Sequence, residues 1–342
     1  MNSRDYWRKR FEMLENQSNQ SALKYQKELE KAYAIALRDI EKDIGRWQAR
    51  LSSNNEITLS AAKLWLDKEM LKEFHWTVEE YIAYGEKNAI DQGWMKQLEN
   101  ASARVHIQKL EAIKLQIQQH IEALYNSRID DLTELMKEIY SEQYYHTVFE
   151  VQKGFKLGFT LHALDERRLN TVIKKPWTLD NRTFSDRIWR DKQLLVNTLH
   201  QELTISIARG EAAKKTISRF AKKMETSKYN AARLVQTEQA FFSSAAQKQA
   251  FNDLDIEQYE IIATLDNRTS AICQSLDGKT YDMKDYQVGI TAPPFHVRCR
   301  TATAPFFVDD DVTDRIARGL DGKSYSIPSN IKYPEWKARF VK

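Results

Sequence analysis

No proline precedes Pro176 in this chain of 342 residues. Proline breaks helices because it lacks the amide hydrogen and its ring collides with the preceding turn, so the first half of the chain is free to run in long helices. From Tyr25 to Leu51 the apolar residues Leu29, Ala32, Tyr33, Ala36, Leu37, Ile40, Ile44 and Trp47 recur at spacings of three and four, one stripe on one helix face. Ser52 to Glu56 interrupt that pattern with residues that favour turns and caps. A second helix is expected from Ser60, carrying Leu64, Trp65, Leu71 and Phe74, and Thr77 with Glu80 has the form of a capping box that opens a third. Between about residues 98 and 140 the stripe Val105, Leu110, Ile113, Ile117, Ile121 and Leu124 predicts a bundle helix or hairpin arm.

Gly154 and Gly158 break the helical pattern, and Pro176 to Thr183 read as a loop. A helix opening near Ser185 runs through Leu194, Leu195, Leu199, Leu203 and Ile207 to a stop at Gly210. Beyond it, Lys214, Lys215, Arg219, Lys222 and Lys223 give a basic helix face, which could meet phosphates or simply be solvated. A further helical segment from Lys228 places Arg233 and Thr237 on one face, with Glu238 beside them. Tyr259 to Leu265 alternate like a strand, Asp266 to Thr269 form a polar turn, and Asp277-Gly278 suggests a tight hairpin. Pro293 and Pro294 favour extended chain before His296. The fold class expected is mainly α, with a long helical N-terminal region and a small α+β C-terminal domain. The division is 1–175, 185–307 and a C-terminal arm at 308–342, whose apolar anchors suit packing on its own domain or on a neighbouring subunit.

The net charge of +4 gives no global field for nucleic acid, so any such binding would rest on local patches. No window is apolar enough to span a membrane, and the first residues lack a signal-type apolar region. Two cysteines make no disulfide framework. With His296 they do make a possible zinc set, Cys273, His296 and Cys299, for which Asp266 or Asp277 could supply a fourth donor. The alternative is that both thiols are small buried apolar groups. Arg233 with Glu238 reads either as a catalytic pair or as an ion pair joining two elements. Glu238 with His296 could do acid–base work only within reach of one substrate. The remaining histidines show no metal-like pairing.

Taken in order, Arg233, Thr237 and Glu238, then Asp266, Arg268 and Thr269, then Cys273 and Gly278, then Pro293, Pro294, His296, Cys299 and Arg300 resemble the phage minor head protein, or Mu F-like head morphogenesis, family. The resemblance covers about residues 185 to 307. It implies a non-enzymatic virion component, made in the host cytoplasm, that contacts the portal and other inner capsid components in head assembly and in packaging or delivery of DNA. Two alternatives remain open at this point: a protein that binds the packaged double-stranded DNA, and a toxin-like hydrolase or transferase. The sequence departs from the family pattern at Ser270, where related chains often carry a further cysteine.

Overall fold

A computed structural model describes residues 3–51, 109–209, 211–264, 266–307, 325–326 and 333–341. The helices expected from Ser60 and Thr77, Val105 in the next stripe, and the Gly210 stop lie outside these residues. The elements in chain order are α1 (Ser3–Leu51), α2 (Lys109–Tyr125), α3 (Arg128–Phe155), β1 (Leu157–Gly158), α4 (Glu166–Lys174), α5 (Phe184–Ala208), α6 (Ala213–Asp253), β2 (Gln258–Ile262), α7 (Ala271–Leu276), β3 (Thr280–Asp282), β4 (Ala302–Phe306), β5 (Tyr325–Ser326) and α8 (Tyr333–Phe340). The mainly helical chain with a small sheet near its C-terminal end agrees with the fold class read from the sequence. No described helix is long and apolar enough to cross a membrane.

Two compact units form, and neither is continuous in sequence. One comprises Lys27–Asp131 and Arg182–Ala231. Here the α1 stripe behaves as its spacing predicts: Tyr33, Ala36, Ile40, Ile44 and Trp47 are buried. The α5 helix begins in a capping box in which Thr183 and Asp186 satisfy each other's amides, and it buries Ile188, Leu195, Leu199, Leu203 and Ile207. Leu194 instead faces solvent. Polar groups also enter this core. Ser227 of α6 hydrogen-bonds Tyr33, Tyr125 and Asp191 at 2.8, 2.9 and 2.8 Å. Lys192 donates to Glu122 at 2.9 Å with both side chains almost fully enclosed. Such a buried pair holds its register because an unpartnered charge would be costly.

The other unit comprises Met1–Gln26, Leu132–Asn181 and Ala232–Lys342. Its sheet has the order β3-β2-β4, all antiparallel. Glu260, in the middle of β2, lies opposite Thr280 on one side and Ala304 on the other. Alternation along the strand sends Tyr259 and Ile261 to one face and Glu260 to the other. On the first face Thr303, the partner of Ile261, donates to Gln247 of α6 at 2.9 Å. The core is strongly aromatic: Trp7 packs on Phe155 and Phe307 at ring separations of 5.4 and 5.7 Å, and Phe11 on Phe251 at 5.6 Å.

Three local expectations differ in the structure. The α1 helix begins at Ser3 rather than near Tyr25, and the basic segment and the Lys228 segment are one helix, α6. Asp277-Gly278 does not close a hairpin. The connection from β2 to β3 passes through α7, and Asp277 caps that helix. Pro293 and Pro294, joined by a cis bond, lie in a bend rather than in extended chain. The described part of the C-terminal arm packs on its own unit: Trp336 is buried and donates to Gln152 at 2.7 Å, the Phe340 carbonyl accepts from the Leu161 amide, and β5 pairs with β1.

Gly154, in the last turn of α3, meets the Trp7 ring so closely that an added Cβ would stand 2.3 Å from it. Glycine to alanine inside a helix ordinarily stabilises by about 1 kcal/mol. Here the buried Trp7 has no room to retreat, and overpacking reverses the sign, so Gly154→Ala is expected to destabilise by about 1–3 kcal/mol. Thermal or denaturant unfolding checks this, and an unchanged or raised Tm would contradict it.

Candidate functional site

The motif residues after β2 are assembled by three short-range devices. The first is the turn at Asp266, whose carboxylate accepts from the Arg268 amide at 2.9 Å and from the Thr269 hydroxyl. Arg300 then grips the same carboxylate with both terminal nitrogens, at 2.7 and 2.8 Å. These bonds, the Arg300 pair above all, hold the Asp266 carboxyl well below the usual carboxylate range. Arg268 itself remains largely in solvent. The clasp joins the chain leaving β2 to the chain approaching β4, and the Thr264 hydroxyl adds a bond to the Arg300 carbonyl at 3.1 Å.

The second device is α7. Ser270 caps it, accepting from the Cys273 amide at 3.2 Å, and this places Cys273 on the buried side of the single turn and a half. Cys273 Sγ lies 3.1 Å from His296 Nε2 and 3.8 Å from Cys299 Sγ. The three ligand atoms all lie within 4.8 Å of one another. Ala263 and the partly buried Phe295 pack around the sulfurs. The contact with Cys299, with help from the Ser270, Thr301 and His296 side chains, draws the Cys273 thiol below its ordinary value, and the same contact, together with burial, pushes Cys299 up. Asp266 and Asp277, the two acids considered as a fourth ligand, stand outside this cluster and are taken by other partners.

The third device is ionic. Glu260 is buried at 2% exposure and is held by two guanidinium groups of α1. Arg4 donates to both of its oxygens at 2.8 and 2.9 Å, and Arg8 to one of them. Arg8 also reaches both oxygens of Asp277, at 3.0 and 3.2 Å, while Asp277 caps the Ala263 amide at 2.9 Å. Gly278 is required here on two counts. Its φ of 76° lies in the left-handed region, and a Cβ would come within 3.3 Å of the Arg4 guanidinium, which donates to the Gly278 carbonyl. Arg4, Arg8 and Glu260 were not singled out by sequence reasoning. The available signals were a lone acid inside an otherwise apolar strand and two arginines four residues apart.

On α6, Thr237 bonds the Arg233 carbonyl and accepts from the Arg298 amide at 3.2 Å, so it anchors the turn that carries His296 and Cys299. Arg298 adopts a φ of 57° there. Glu238 is buried and accepts from Trp177 Nε1 at 2.8 Å, and Trp177 stacks on Phe241. Arg233 is exposed. Pro294 is buried beside the cluster. In the basic segment of α6, Arg219 pairs with Glu202 and Glu211, Lys215 with Glu211 and Lys223 with Glu202; Lys214 and Lys222 are exposed. Arg219 and Lys215 pull Glu211 down to about 2. Much of that basic face is thus matched by acid.

Residues 197–304 match the family described as Phage Mu protein F like protein, the family that the motif order resembles. Over a longer stretch of 239 residues, the chain is 27% identical to Minor head protein GP7 of Bacillus phage SPP1, covering 65% of this chain and 75% of that one. Over these residues the chain is thus similar to Mu F-like proteins and to a phage minor head protein. No solved structure matches the chain.

Two outcomes are expected. Glu260→Gln leaves Arg4 and Arg8 facing a neutral group and should cost about 2–3 kcal/mol, less than a fully enclosed pair because both arginines are partly solvated. Chemical denaturation measures it, and a loss below the error of the method would remove Glu260 from its place in the frame. For Asp266 the folded-state pKa is depressed, so its contribution is present in full above the unfolded value of about 3.9 and is lost as pH falls through the folded one. The stability gap between wild type and Asp266→Asn should therefore be constant above about pH 5 and narrow as pH drops below about 4.

Proposed function

We propose that this protein is a non-enzymatic minor component of a phage head, seated at the portal and inner capsid surface, where it supports head assembly and the packaging or delivery of DNA. The observation that carries this reading is the Mu F-like match at 197–304, within a longer likeness to the SPP1 minor head protein. The geometry supports it from the chemical side. Every charged or polar motif residue with a described partner is spent on holding the domain together: Asp266 on Arg300, Thr237 on the Arg298 amide, Glu238 on Trp177. His296 is held between Cys273 and the Val297 carbonyl. A domain whose motif residues serve its own frame presents shape and surface to partners.

Co-expression with the cognate portal protein, followed by affinity capture on either partner, tests the proposal. The two are expected to co-purify, and the protein to sediment with proheads. If it co-purifies with neither portal nor proheads, the portal-associated role fails.

A further inference from the structure

Three soft ligand atoms converge beside α7 without any role in the ionic frame described above. Two thiolates bound to one tetrahedral zinc at about 2.3 Å stand about 3.8 Å apart. Cys273 Sγ and Cys299 Sγ stand 3.8 Å apart. A thiolate and an imidazole sharing the same ion are separated by about 3.5 Å, and His296 Nε2 lies 3.1 Å from Cys273 Sγ, a difference that one side-chain torsion absorbs.

The surroundings are those of a ligand set. His296 Nδ1 lies 2.8 Å from the Val297 carbonyl. A carbonyl only accepts, so the ring proton sits on Nδ1 and the Nε2 lone pair is turned to the sulfurs, the arrangement by which second-shell groups fix a metal-binding histidine. The ligands also come from two separate segments, α7 and the turn before β4, which the ion would tie together.

We propose that Cys273, His296 and Cys299 bind one zinc ion, with the fourth position open on the side of Ser270 and filled by water. The set is soft and borderline, two sulfurs and one imidazole, which suits zinc rather than magnesium or calcium. Its effect is structural: it closes the segment from residue 273 to residue 299 on itself, and so fixes α7 against β4. The proposal stands independently of the portal-associated role.

The test uses the full chain, expressed in zinc-supplemented medium and purified under reducing conditions. Elemental analysis is expected to find about 1 zinc per chain. Cobalt exchanged into the wild-type protein should give a thiolate-to-metal charge-transfer band and the intense visible bands of a tetrahedral site. Chelation should lower Tm, and re-added zinc should restore it. Cys299→Ser and His296→Gln should each weaken zinc binding at least about tenfold. Because those variants could misfold, Ser270→Cys provides a gain-of-function arm: a third thiolate at the open side should tighten zinc binding by about tenfold or more and strengthen the cobalt charge-transfer band. Zinc below about 0.1 per chain after reconstitution of the wild type, with two freely titrating thiols or a Cys273–Cys299 disulfide, overturns the proposal. So does a Ser270→Cys protein that folds and binds zinc no better than wild type.

Discussion

A carboxylate in the middle of a sheet is the constraint around which the Mu F-like part of this protein is arranged. Glu260 occupies the central position of the central strand, buried between Thr280 on one side and Ala304 on the other. Removing its charge from water costs several kcal/mol, and only well-placed hydrogen-bonding cations offset that. Arg4 and Arg8 do so from a helix far away in sequence. Satisfying Glu260 therefore fixes the position of α1 over the sheet, and Arg8, by also binding Asp277, fixes the end of α7. A one-residue slip of β2 would turn Glu260 toward α6 and away from both arginines, so the charge also specifies strand register.

Periodicity revealed most of the helices, and it failed where the buried stripe is polar. Sequence reading starts α1 near Tyr25 because Asn16 to Ser21 show no apolar spacing. In the structure Glu15 and Ser18 are buried all the same, and they accept from Gln239 and Ser243 of α6. Burial holds the Glu15 carboxyl above its usual range. A helix that packs through carboxyl, hydroxyl and amide groups has the same geometry as one that packs through leucines, yet a count of apolar residues does not see it. The missing hairpin has a similar origin. Asp-Gly favours a turn of either kind, and only the pairing of β2 with β3 across an intervening helix decides which.

The site was legible to a different degree. Cysteine and histidine are rare enough that their clustering at 273, 296 and 299 draws notice, and the fold does bring them together. Acids look like ligands in sequence, whereas in space Asp266 and Asp277 are bound by arginines. Thr237 and Arg300 enter the reading by motif order alone, and Arg298 is no part of that order. Their actual work, as a chain of backbone and carboxylate bonds around the cluster, depends on elements 60 residues apart meeting, which no local pattern encodes.

The bond between Arg4 and Glu260 spans 256 residues of chain. During translation, α1 emerges before β2, so Arg4 and Arg8 are made long before their carboxylate exists. Helix α6 can form on its own, but the sheet cannot acquire its ionic seat until β2 has left the ribosome, nor its third strand until residue 306 follows. Contacts so distant in sequence form late and slowly. The Trp7 and Phe11 rings would meet Phe155 and Phe251 before the sheet is complete, and Phe307, the second aromatic neighbour of Trp7, would come last.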